Sequence, residues 1–143
     1  MSVRWGIAGP GAMAVGFAND LVLVDGAELA AVGSRSIDRA WAFGERFDVP
    51  SVHGSYAALA ADPSVDIVYV ATPQSSHEHD TLRFLEAGKH VLCEKPFALN
   101  AAQGSRMIDA ARQRDLFLME AMWARFLPSY RKLVALLAEG AIG

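Results

Sequence analysis

A chain of 143 residues is long enough for one compact domain and leaves little room for a second. Hydrophobic residues at 52% supply a core, while 20% charged residues, a net charge of −3 and no run of Lys or Arg argue against a nucleic-acid or anionic-membrane partner. The single cysteine, Cys93, excludes an intrachain disulfide and a cysteine-based metal cluster, and no metal is expected. No apolar stretch approaches a membrane span and no signal segment precedes Val3, so a cytoplasmic location is expected.

Val3 to Ala8 reads as a strand, followed by the turn Gly9-Pro10-Gly11 and a helix with Met13, Phe17 and Leu21 on one stripe. Leu29 to Val32 is a second strand. Ser36 caps the next helix, whose apolar face carries Ala40, Phe43, Gly44 and Phe47. Val52-His53 is a very short strand and Ser55 to Ala61 a short helix, ended by Asp62-Pro63. Asp66 to Ala71 is apolar after its first residue, as expected of a strand covered on both faces. Ser75 with Glu78 predicts a capping box opening a helix that stops at Gly88. The strand His90–Cys93 comes next. Asn100 caps a helix carrying Gly104, Met107, Ile108 and Ala111, Leu116 to Met119 is the last strand, and a final helix from Pro128 carries Tyr130, Leu133, Val134 and Leu137. Strand and helix alternate throughout. The expected fold is therefore α/β, a doubly wound parallel sheet with helices on both faces.

The turn after the first strand reads Gly9-Pro10-Gly11-Ala12-Met13-Ala14, or G-x-G-x-x-A. The first glycine permits the tight turn, the second lets backbone approach a pyrophosphate, and the small third residue lets helix and strand pack closely. The helix N-terminus adds free N–H groups and partial positive charge. Pro10 has no N–H, so its neighbours must donate. Set in a βαβ unit, the pattern predicts a dinucleotide; methyltransferases use similar turns and are the chief competing reading.

After the second strand an Asp or Glu would favour NAD, and an Arg would accommodate the 2′-phosphate of NADP. Here the residues are Ser34-Arg35-Ser36, with Arg39 one turn on and no carboxylate before Asp38. NADP is the expected cofactor and NAD the less favoured one. A methyl donor has no 2′-phosphate, which weighs against the methyltransferase.

Ligands of open parallel sheets lie beyond the carboxyl ends of the strands. Three such ends carry reactive residues: Ala71-Thr72-Pro73 leading to His77, Glu94-Lys95-Pro96 after Cys93, and Glu120-Ala121-Met122-Trp123-Ala124-Arg125-Phe126. Pro96 restricts Lys95, so its ammonium direction is preset and can bond a substrate hydroxyl and share in proton transfer; standing alone, a Glu-Lys-Pro tripeptide is more often an ordinary loop with a solvated charge pair. His77 lies in a first helical turn and is placed to reach a ligand; His79, two residues on, points elsewhere. Trp123 and Arg125 offer stacking and charge to a cofactor or substrate, or else pack under the last helix.

These segments together resemble the glucose–fructose oxidoreductase, inositol dehydrogenase and rhizopine catabolism (Gfo/Idh/MocA) family. The most specific stretch is Ala87-Gly88-Lys89-His90-Val91-Leu92-Cys93-Glu94-Lys95-Pro96, and the Glu120–Pro128 segment resembles the branch holding dihydrodiol and NADP-dependent xylose dehydrogenases. The resemblance implies a Rossmann domain over residues 1–120, with 121–143 leading toward a further α+β domain. It implies Lys95 as the active-site lysine. Gly9, Pro10, Gly11, Ala12, Met13, Ser34, Arg35, Arg39, Ala71, Thr72, Pro73, His77, Glu94, Lys95, Trp123 and Arg125 would line the cofactor. It further implies hydride transfer to or from a hydroxyl-bearing carbon of a sugar, polyol or diol, and homo-oligomers in the full-length proteins. The competing reading of another class is a non-catalytic NADP(H)-binding module or one subunit of a split enzyme.

Overall fold

The computed structural model describes residues 2–142. Its six strands are β1 (Val3–Ala8), β2 (Ala27–Gly33), β3 (Ser51–His53), β4 (Ile67–Val70), β5 (His90–Cys93) and β6 (Leu118–Glu120). All pair in parallel, in the order β3-β2-β1-β4-β5-β6. This is the doubly wound Rossmann arrangement. Strand order reverses between β1 and β4, which opens a crevice at their carboxyl ends.

Helices α1 (Ala12–Leu21) and α2 (Ile37–Phe47) cover one face; α3 (Tyr56–Ala60), α4 (His77–Glu86) and α5 (Ala101–Gln113) cover the other. The larger core joins Val68, Val70 and Val91 of the sheet to Leu59, Phe84, Leu85 and Met107 of α3–α5. Opposite it, Ile7, Val32 and Tyr69 pack against Ala14, Ala18 and Phe43. A last helix, α6 (Pro128–Ala138), follows a 3-10 turn at Trp123–Phe126 and buries no residue.

Most local signals act as read. The Ser36 hydroxyl accepts from Arg39 N–H and the Asn100 side chain from Gln103 N–H, each opening its helix. Three expectations are corrected. Met13 is 49% exposed, because α1 lays Ala14, Ala18 and Leu21 on the sheet; the two alanines allow the close approach that Met13 would block. Ile108 likewise faces outward, leaving Gly104, Met107 and Ala111 as the contact line of α5. No Ser75–Glu78 box forms: a 3-10 turn at Gln74–Ser76 precedes α4, and Glu78 instead accepts from Arg106 of α5.

Candidate functional site

The glycine turn is built for close approach. Gly9 has φ +90°, and a Cβ there would lie 2.9 Å from the Ala71 carbonyl oxygen, so both conformation and space demand glycine. Gly11 is the N-cap of α1; it has no side chain to occupy the first-turn amides, and the space where its Cβ would stand is empty. The N-terminus of a ten-residue helix is thus left open to an anion.

Around this turn lies a cleft of about 460 Å³ that gathers Gly9, Pro10 and Gly11 with Ser34, Arg35 and Arg39, and with Ala71, Thr72 and Pro73 across the crevice. Ser34 is buried at the end of β2, and its Oγ accepts from Ser36 N–H at 3.2 Å, which leaves its own hydrogen free to donate. Arg35 and Arg39 are exposed on the rim. Tyr56, the first residue of α3, also lines this wall. Sequence reading passed over it, since nothing local distinguishes a tyrosine behind a capping serine from a packing residue.

A second cleft, apolar and about 400 Å³, lies where α1 borders the β4-β5-β6 half of the sheet. Ala12, Met13, Glu94 and Trp123 line it together with Phe17 and Tyr69. Tyr69 rises from β4 and donates from its hydroxyl to Glu94 Oε1 at 2.5 Å; the other carboxylate oxygen accepts from Lys95 N–H at 2.9 Å. Burial, then the carboxylate partner, pushes the Tyr69 hydroxyl far above its ordinary range, so it stays a donor. Below this segment the Cys93 thiol is fully buried, and burial pushes it up to about 12, which keeps it protonated and inert.

The Glu94-Lys95-Pro96 segment is braced from two further sides. Its Lys95–Pro96 peptide is cis, and Glu120 at the end of β6 accepts from Phe97 N–H at 2.8 Å. His77 is 1% exposed, with Nδ1 2.9 Å from the Pro96 carbonyl oxygen and Nε2 2.9 Å from that of Thr72. Both carbonyls are acceptors, so a neutral ring with its single N–H donates to one of them at a time. His77 stands between the loop after β4 and the loop after β5, and it lines neither cleft. Lys95 itself is exposed at the carboxyl end of β5, next in sequence to Glu94 of the apolar cleft, and lines neither cleft. Arg125 is not brought to either cleft; it lines an adjacent groove with Glu120 and Arg131.

Among the described residues no group of three or more His, Cys, Asp or Glu forms a metal site, and no helix is long and apolar enough to cross a membrane.

Comparison with known proteins agrees with this geometry. The model of the Gfo/Idh/MocA group, described as an oxidoreductase family with an NAD-binding Rossmann fold, matches residues 3–122. The chain is 42% identical to trans-1,2-dihydrobenzene-1,2-diol dehydrogenase of Mus musculus, covering 100% of this chain and 44% of that protein. It is 44% identical to D-xylose 1-dehydrogenase (NADP(+)) of Hypocrea jecorina, over 99% of this chain and 39% of that one. Among solved structures, KijD10, a 3-ketoreductase from Actinomadura kijaniata in complex with TDP-benzene and NADP, superposes with a TM-score of 0.92 at 37% identity, again over 100% of this chain and 45% of the other. The chain thus spans less than half the length of the relatives it matches.

Proposed function

This chain belongs to the Gfo/Idh/MocA oxidoreductase family, and from that premise we propose that it is the cofactor-binding part of an NADP-dependent dehydrogenase or reductase acting on a hydroxyl-bearing carbon of a sugar, polyol or trans-dihydrodiol. In this reading residues 1–120 hold the dinucleotide and 121–143 lead toward the part that completes the substrate site. The observation that carries the cofactor choice is the end of β2: a buried Ser34 with a free hydroxyl hydrogen, flanked by Arg35 and Arg39 on one cleft wall and by no carboxylate. An NADP-dependent relative and an NADP complex of a similar structure support it.

The residues fit the group. The uncapped first turn of α1 would hold the pyrophosphate, and Ser34, Arg35 and Arg39 the 2′-phosphate. Bound, the nicotinamide supplies or accepts the hydride. Glu94, locked between Tyr69 and the Lys95 amide, forms a rigid floor for the reactive end. Lys95 stands on that floor with its ammonium in solvent, free to bond the substrate hydroxyl and share its proton.

Calorimetric titration with NADPH and NADH tests the assignment. Charge-assisted bonds to the 2′-phosphate should give NADPH an advantage of about tenfold to a hundredfold, shrinking as salt rises. Equal affinities, or tighter NADH binding, would overturn it.

A further inference from the structure

At the amino ends of β1 and β2, away from the phosphate cleft, a groove of about 410 Å³ opens beside α1. Val3, Trp5, Phe17, Leu21 and Val24 form its walls. Phe17 and Asp20 separate it from the apolar cleft near Glu94, which they also line. Its charged linings are Asp20 and Asp25, both exposed, and no Lys or Arg lines it. In the turn that closes the groove, Val22 and Leu23 are 67% and 81% exposed, the highest values for large hydrophobic side chains among the described residues. The groove is thus apolar, with an acidic rim.

The complementary surface is α6. Tyr130, Leu133, Val134 and Leu137 follow one another at three- and four-residue spacing and form one stripe, and no residue of the helix is buried. Arg131 adjoins Val134 at i, i+3, so a positive charge flanks the stripe. Within its own chain α6 packs against the 3-10 turn before it and keeps the stripe outward, so it does not reach the groove of its own molecule. One surface is apolar with an acidic rim; the other is apolar with a basic flank. We propose that two copies of this chain pair reciprocally, each seating its α6 in the other's groove. Leu133 and Leu137 enter the cleft, and Arg131 meets Asp20 and Asp25 at its rim. The two-fold arrangement makes every contact twice, and both unpartnered apolar surfaces are covered at once. Docking at the amino ends leaves the clefts at the carboxyl ends of the strands open.

Sedimentation of the unmodified chain over a range of concentrations should show a reversible dimer. Val24→Lys places a charge on the exposed groove wall and should weaken that dimer at least about tenfold, since each change acts twice across the two-fold axis. Helices zipped directly to each other would ignore this substitution. A dimer of undiminished strength in Val24→Lys therefore overturns the proposal. The charges give a second arm, placed on exposed residues so that the fold survives, as circular dichroism would confirm. Asp25→Arg alone and Arg131→Asp alone should each weaken the dimer, and the two together in one chain should recover most of the loss, because the ion pair is re-formed with its signs exchanged. A double variant as weak as the sum of its parts would separate these two surfaces and sink the assignment. So would an unmodified chain that stays monomeric throughout, which would leave the groove to a partner of another kind.

Discussion

Lys95 combines a rigid base with a free tip. Its amide is held by Glu94, whose other oxygen is held by Tyr69, and the segment is tied on its far side through the Pro96 carbonyl to His77. The ammonium alone is left to solvent. A group so placed suits chemistry on a substrate better than support of the fold. On the function proposed above, Lys95→Ala should leave NADPH affinity within a few-fold while turnover falls by about 10² to 10⁴, the usual contribution of an acid–base group. Parallel measurement of Kd and kcat checks this; near-normal turnover would reduce the lysine to a surface charge. His77 illustrates the opposite case, a side chain at a site border that is buried between the carbonyls of two loops and lines neither cleft.

At the scale of elements, the crossing from one half of the sheet to the other depends on Asp62, just after α3. Its carboxylate accepts from Ser64 N–H at 2.8 Å and Ser64 Oγ–H at 2.6 Å, and lies 2.8 Å from His53 Nε2 on edge strand β3. Lys89 donates to the Asp62 and Val65 carbonyl oxygens, closing the same loop onto the start of β5. Burial pushes the Asp62 carboxyl up, but the bonds from Ser64 and His53 outweigh it and hold the group at about 2, below its ordinary 3.8. A depressed folded-state value means that stability is fully present above the unfolded value and is lost as pH falls through the folded one. This carboxylate should therefore contribute about 2 kcal/mol at neutral pH, lost between about pH 4 and pH 2. Asp62→Asn should be less stable in urea at pH 7 by a similar amount and should lose less on acidification. An unchanged acid limb would show that the loop is held by other contacts.

For the whole molecule, the uneven covering of the sheet has consequences. Three helices span one face, but only α1 and α2 lie on the other, and the apolar cleft marks the β4-β5-β6 half that they leave open. Next to it α6 carries Leu133 at 44% and Leu137 at 50% exposure, with Tyr130 and Val134 also outward. Apolar surface on this scale in one region drives association. The 143-residue chain should self-associate in sedimentation experiments. The pair Leu133→Lys and Leu137→Lys, one turn apart on α6, should return it to a monomer without changing NADPH affinity, since neither residue lines the phosphate cleft. A wild-type chain that sediments as a monomer would show that the exposed face is tolerated as it stands.

Much of this was legible in the residues. Strand and helix alternation, the glycine turn, the capping side chains of Ser36 and Asn100 and the acid-free end of β2 are local matters, decided by steric allowance, nearby hydrogen-bonding groups and chain spacing. The parallel sheet follows from that alternation, because strands joined by helical crossovers pack in one direction. Side-chain partnership across the sheet was not legible. That His77 is buried between two loop carbonyls, that Tyr69 clamps Glu94 and that Glu120 reaches Phe97 all depend on residues distant in sequence or on other elements. Met13 turned outward for a related reason: the periodicity of α1 fits more than one stripe, and the sheet selected the one whose alanines let it come closest. Local sequence decides what each segment becomes; the long-range packing of those segments decides which polar atoms are already satisfied and which remain for a ligand.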